Sequence, residues 1–205
     1  MEFKLTKGII TFERKLSDLD KLVLKFCKIL EKNKIDYVII SGYIAILFGR
    51  SRNTEDVDLF IEEMEFTKFK SLWDELYQNG FECINESKPE RVYNEYLKNS
   101  SAIRFAEKGK FIPNFELKFP KTRYNNYSLK NKLKVIINGK TINASELELQ
   151  IAFKLYLGTD KDFEDARHLY KTFEEKLNMG LLTKHIIELK VEKQAEKILW
   201  KKYRN

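Results

Sequence analysis

Two cysteines and two histidines are all that this 205-residue chain offers a soft metal. Cys27 and Cys83 stand alone, with no CxxC and no histidine nearby, and His168 and His185 share no ligand spacing with them or with each other. That pattern excludes a zinc-finger arrangement and a disulfide framework, and it assigns both thiols to the core. Three prolines and eight glycines leave no proline-rich spacer or flexible linker. No apolar run approaches the roughly 18 residues of a membrane span, and the opening MEFKLTKG has no secretory h-region. A cytoplasmic protein without a membrane partner is therefore expected.

What remains is ample for a packed domain. Hydrophobic residues make up 43% of the chain and charged ones 34%, which suits one or two globular domains. The net charge of +7 favours anionic partners such as nucleic acid or nucleotides. The excess is spread along a chain rich in Lys, Ile, Glu and Asn, so a general compositional bias is an alternative source of it.

The stretch from Tyr37 to Glu62, YVIISGYIAILFGRSRNTEDVDLFIE, organises the rest. Tyr37 to Ile40 reads as a buried strand, Ser41-Gly42 breaks it, and Tyr43 to Phe48 is apolar enough for a short helix. A basic turn, Gly49-Arg50-Ser51-Arg52-Asn53-Thr54, leads into a second strand, Asp56 to Ile61. Strand side chains alternate faces, so Asp56 and Asp58 point the same way while Val57 and Leu59 point into the core. Two carboxylates on one strand face repel unless a cation lies between them, and a hard divalent ion such as Mg²⁺ supplies that compensation. Two such ions close together serve in-line phosphoryl transfer.

These residues resemble the DNA polymerase β-type nucleotidyltransferase superfamily, and within it the small prokaryotic toxin–antitoxin-type (AbiE-like) members. Gly42, Gly49, Arg52, Thr54, Asp56 and Asp58 fall on a signature of the form GG-x-A-x-x-x-x-G-x-x-R-x-T-x-D-x-D. The first glycine of the pair is Ser41 here, a departure that matters if the turn needs a positive φ. The resemblance implies that Ser41 and Gly42 cradle the nucleotide phosphates, with Arg52 and Thr54 close by. It also places a third acidic residue on a later strand. Phe115, Leu117 and Phe119 alternate with Glu116 and Lys118, so Glu116 is the matching position, as metal ligand and general base. The competing reading of that position is a Glu–Lys pair on a half-exposed strand. Two Mg²⁺ ions, with Mn²⁺ as a substitute, would be held by Asp56, Asp58 and Glu116.

The likeness continues through ELQIAFKLYLGTDKDFEDARHLYKTF, where Lys154, Lys161, Asp162 and Asp165 fall on the pattern. By resemblance Lys154 faces the triphosphate. Asp162 and Asp165 share a helix face and can grip one basic group.

The remaining periodicity predicts helices from Ser17 to about Asn33, from Phe66 to Gly80 and over Lys161 to Leu177, and a long one from Thr183 to Tyr203. A capping box at Ser145-x-x-Glu148 opens a helix ending at Gly158. Asn138-Gly139 marks a hairpin expected at the sheet edge, where Lys130, Lys132 and Lys134 read either as guards of that edge or as a basic patch for RNA. The expected architecture is α/β (α+β), a mixed sheet flanked by helices: residues 1–143 form the nucleotidyltransferase domain with its N-terminal helix, and 144–205 a helical C-terminal region. The implied activity moves an NMP from an NTP to a hydroxyl acceptor, tRNA or other RNA or protein, with an antitoxin as a further partner. The alternatives are a catalytically silent nucleotide- or RNA-binding module of the same fold and an enzyme modifying a small molecule.

Overall fold

The computed structural model describes residues 2–6 and 8–200. A nine-stranded mixed sheet runs through the molecule in the order β1-β2-β8-β9-β3-β4-β7-β6-β5. In chain order the elements begin with β1 (Lys4–Thr6), β2 (Ile9–Phe12), α1 (Asp18–Lys32), β3 (Tyr37–Ile40), α2 (Gly42–Leu47), β4 (Asp56–Ile61), α3 (Phe66–Gln78) and β5 (Phe81–Cys83). A single turn, α4 (Pro89–Arg91), continues through π-helical and 3₁₀ turns to Asn99. The chain then forms β6 (Ile103–Glu107), β7 (Asn114–Lys118), α5 (Arg123–Lys130), β8 (Leu133–Ile137) and β9 (Lys140–Ala144). Helices α6 (Leu147–Leu157), α7 (Asp160–Phe173), α8 (Met179–Leu189) and α9 (Glu192–Ala195) follow, with a π-helical turn over Glu196–Trp200.

Helix α1 starts where its sequence says it should. The Ser17 hydroxyl accepts from the Asp20 N–H and the Asp20 carboxylate accepts from the Ser17 N–H, a closed capping box. Asp20 is fully buried there, and it also accepts from Arg14 and from the Tyr43 hydroxyl, which fastens α1 to α2.

The two faces of the central strands have different chemistry. β3 pairs antiparallel with β4, β4 pairs parallel with β7, and β7 pairs antiparallel with β6. Val57 lies beside Phe115, which lies beside Phe105. This face is sealed by α1 and α3. Phe26 stacks on Phe115 at 3.9 Å between ring centroids, and Trp73 meets Phe105 edge-on at 5.4 Å. The opposite face carries Asp56, Asp58, Glu116 and Arg104, and α5 and α6 cover it only in part.

Four expectations need correction. The β8–β9 hairpin turns through Asn138 and Gly139, both at positive φ, as a tight Asn-Gly turn requires. It is internal, because β2 pairs parallel with β8 and β9 continues to β3. Edge status depends on whether another segment supplies a strand, and here the N-terminal arm does. Ser145 and Glu148 form no capping box. Helix α6 begins one residue later, behind Glu146, and Glu148 accepts instead from the Asn178 N–H at 2.7 Å. Helix α7, capped by Thr159, ends at Phe173 and not at Leu177. The C-terminal helix is broken at Lys190, which takes a left-handed φ of 58° and lets Val191 turn into the core. Its last expected residues, including KKYRN, lie outside the described residues.

Cys27 and Cys83 are both buried and unpaired, as the spacing implied. No helix among the described residues is long and apolar enough to cross a membrane.

The Phe26–Phe115–Phe81 cluster fixes which face of β7 is dry, and hence where Glu116 points. Phe115→Ala should cost about 3–5 kcal/mol, read from urea unfolding, whereas a loss below about 1 kcal/mol would mean the face is not packed as described.

Candidate active site

The site grows from one register. In the parallel β4–β7 pair Asp56 lies beside Asn114 and Asp58 beside Glu116, and on β6 Arg104 lies beside Glu116. One row across the sheet therefore reads Ile40, Asp58, Glu116, Arg104, and the next row holds Asp56 and Asn114. The sequence-predicted carboxylates thus occupy one face of two adjacent strands.

Their partners differ. Asp56 accepts from the Thr54 hydroxyl at 3.1 Å, and the same hydroxyl lies 2.9 Å from the Asp56 carbonyl oxygen. Glu116 is 8% exposed, and its carboxylate is held by Arg104 at 2.8–2.9 Å and by Lys118. The Lys118 ammonium also lies 3.7 Å from Asp58. Burial pushes the Asp58 carboxyl up to about 6; Lys118 opposes this, while the charges of Asp56 and Glu116 add to it. Burial acts on Glu116 in the same sense, but Lys118 and Arg104 outweigh it and hold that carboxyl below its ordinary range. Burial therefore prevails at Asp58, while at Glu116 the paired cations prevail over it.

Ser41 answers the question its substitution raised. It sits at φ 64°, ψ −137°, a region that glycine enters freely and a side chain does not. Gln150 clamps it from both sides: the Ser41 N–H donates to Gln150 Oε1 at 3.3 Å, and Gln150 Nε2 donates to the Ser41 carbonyl at 3.0 Å. The Ser41 hydroxyl in turn favours ionised Asp58. Gly42 differs, because its small size lets a side chain approach. A Cβ there would lie 2.9–3.1 Å from the Arg52 guanidinium, which packs on the bare backbone.

Arg52, Arg50 and Lys154 converge on Asp165, which is fully buried on α7. Lys154 also donates to Asp162 at 2.6 Å, and Arg50 also pairs with Glu164. This anchors the basic loop before β4 to α7, and the three cations, two from the loop and Lys154 from α6, are matched by three carboxylates. The shared grip of Asp162 and Asp165 on one basic group, expected from their spacing, is on Lys154. His168 Nε2 lies 3.0 Å from the Phe48 carbonyl, and His185 is buried 3.2 Å from Glu146.

Ser41, Asp58, Lys118 and Lys154 open into one cavity of about 230 Å³. Its far wall is apolar, built from Phe60, Leu149 and Phe153, with Asn125, Ser128 and Gln150 as hydrogen-bonding groups. Sequence reasoning missed Arg104, Asn114 and Gln150, and named Lys118 only as the partner of Glu116 in the competing Glu–Lys reading, a pair that the structure contains. Asn114 and Lys118 stand two residues either side of Glu116, and strand alternation alone placed them beside it.

Among the described residues no three His, Cys, Asp or Glu side chains are disposed to hold a metal ion together. The Asn114 amide donates to the Glu55 and Phe111 carbonyls, and its buried Oδ1 has no partner. Two carboxylates beside a neutral amide oxygen are the oxygen donors that a hard divalent cation takes.

No protein-family model matches this chain, and no curated protein sequence does. Solved structures do. The antibiotic-resistance factor ANT(2'')-Ia matches with TM-score 0.56 at 12% identity, over 88% of this chain and 97% of its own. An antigenic nucleotidyltransferase-like protein from Paracoccidioides brasiliensis matches with TM-score 0.52 at 17% identity, over 88% of this chain and 91% of its own. The lincosamide adenylyltransferase LnuA, solved with lincomycin, matches with TM-score 0.51 at 13% identity, over 78% of this chain and 99% of its own. The fold is nucleotidyltransferase-like. At these identities the likeness is one of architecture, a mixed sheet with flanking helices and a helical C-terminal region.

Two consequences can be measured. Because its folded-state pKa is raised, Asp58 is most stabilising when protonated, and that contribution is lost as pH rises through about 6. In chelator-treated buffer Asp58→Asn should therefore match wild type near pH 4 and exceed it above pH 7 by roughly 1–3 kcal/mol. A gain independent of pH would contradict the burial argument. Ser41→Gly should relieve about 1–3 kcal/mol of backbone strain against about 0.5–1 kcal/mol of added chain entropy, so urea unfolding should shift upward, while Ser41→Ala should not gain. A destabilised Ser41→Gly would mean the turn is not strained.

Proposed function

We propose that this protein transfers an NMP from an NTP to a hydroxyl acceptor, with Asp56 and Asp58 as the divalent-metal ligands. The acceptor oxygen bonds to the α-phosphorus, the α–β bridging P–O bond breaks, pyrophosphate leaves, and the hydroxyl proton passes to a carboxylate or to water. The observation that carries this reading is the paired carboxylate face on β4 and β7, next to a turn at Ser41-Gly42 and a cavity that Ser41 and Asp58 line. Mg²⁺ or Mn²⁺ at Asp56 and Asp58 would polarise the phosphoryl oxygens and offset charge on the leaving group. A second ion that used Glu116 as its ligand would require Lys118 and Arg104 to move off that carboxylate.

Ser41, Gly42, Arg52, Thr54 and Lys154 are the proposed nucleotide contacts. The cluster on Asp165 is charge-balanced, so a triphosphate must either loosen those pairs or bring its own cation. That favours entry of the nucleotide as its metal complex. Glu116, held ionised by two cations, suits orientation of the acceptor better than proton abstraction.

The net charge of +7 favours RNA, tRNA included, over a cationic small molecule as acceptor. ANT(2'')-Ia has been solved with adenylyl-tobramycin and LnuA with lincomycin, so small-molecule acceptors occur on this architecture. A toxin–antitoxin role, with a protein acceptor or a cognate antitoxin, rests on the sequence resemblance. A second reading, a silent nucleotide- or RNA-binding module, draws on the strained Ser41 and on the engagement of Glu116.

Incubation with each α-labelled NTP and Mg²⁺ or Mn²⁺, in total RNA and in cell lysate, tests the activity. Label should move to an acceptor with release of pyrophosphate, and Asp56→Asn or Asp58→Asn should lower the rate by about 10³-fold or more. Unchanged turnover in the double variant would overturn the reading, and ATP binding by calorimetry without pyrophosphate release would support the silent module.

A further inference from the structure

Lys118 is the one residue of the carboxylate face that the sequence argument treated only as a neighbour. It leaves the end of β7 on the same face as Glu116, two positions on, and its ammonium reaches both Glu116 and Asp58. Its side chain is about one-third exposed and lines the cavity with Ser41 and Asp58. Arg104 approaches Glu116 from the other side, its position set by the β6–β7 register. Glu116 therefore has two cations tethered to the sheet as partners, while among the described residues the Asp56 carboxylate accepts only from the Thr54 hydroxyl.

We infer that Lys118 is the built-in counter-cation between Asp58 and Glu116, so that the face binds a single divalent ion, at Asp56 and Asp58, where three free carboxylates would bind two. This rests on the reading above only for the presence of a metal at the aspartates.

The physical argument is competition for one place. A divalent ion bridging Asp58 and Glu116 would put its charge beside the Lys118 ammonium, and like charges within a few ångströms inside a partly dry site are strongly unfavourable. The lysine is tethered to the strand, so it competes for that place at a fixed, high effective concentration. A divalent ion would have to drive the Lys118 head group out to water and also break the Arg104 pairs. Among the described residues no cation pairs with Asp56. The unpartnered Asn114 Oδ1 lies in the same row as Asp56 and offers a neutral oxygen that costs no further charge repulsion.

The test counts ions, independently of activity. Mn²⁺ is titrated into metal-free protein and the bound fraction is read from loss of the free-ion electron paramagnetic resonance signal. Wild type should take one Mn²⁺ per chain. Lys118→Met, which keeps the unbranched shape and most of the length of the side chain and removes its charge, should take two, and Lys118→Met with Glu116→Gln should return to one. Thermal unfolding of each variant verifies that it is folded. Two ions in wild type, or one in folded Lys118→Met, would overturn the inference while leaving metal-dependent transfer intact. No bound ion in wild type would overturn the inference and the metal-dependent reading together.

Discussion

Everything distinctive about this molecule follows from two carboxylates set side by side in a parallel strand pair. Asp58 and Glu116 share a register position, and like charges on adjacent strands are destabilising unless something lies between them. The fold resolves this with tethered cations on one side, Lys118 and Arg104, and with burial of Asp58 that drives its carboxyl towards the neutral form on the other. The remaining demand for positive charge falls on Asp56 and Asp58. Three carboxylates in adjacent rows carry a cost, since an apolar row would pack without that repulsion.

The elements around that face serve to hold it. Helices α1 and α3 seal the far side of the same strands with Phe26, Trp73 and their partners, which fixes the direction of every second residue. On the near side α7 presents Asp165, whose single buried carboxylate gathers Arg50, Arg52 and Lys154 from a loop and a neighbouring helix. Gln150 on α6 pins the strained Ser41 peptide over Asp58. Strain kept at one residue by a two-sided clamp is the pattern expected where position matters more than local stability.

Much of this was legible in the sequence. The strand–turn–helix–strand order from Tyr37 to Ile61, the alternation at Glu116, and the Asn138-Gly139 turn are local patterns whose physics sits within a few residues. What could not be read was non-local. The hairpin was expected at an edge, yet the first strands of the chain cover it. Ser145 and Glu148 have the spacing of a capping box, yet a distant Asn178 N–H takes the glutamate. The break at Lys190 arises because Val191 turns into the core, which helical periodicity does not reveal. Arg104 and Lys118 illustrate the same limit at the site. Alternation put Lys118 near Glu116, but only the β6–β7 register could bring Arg104 to the same carboxylate.

The most direct measurement is anomalous scattering from crystals grown with Mn²⁺ and a non-hydrolysable ATP analogue. The account predicts a manganese peak coordinated by both Asp56 and Asp58 and in contact with the phosphate chain, with Lys118 still against Glu116. A peak elsewhere, or a nucleotide bound away from those two aspartates, would contradict it.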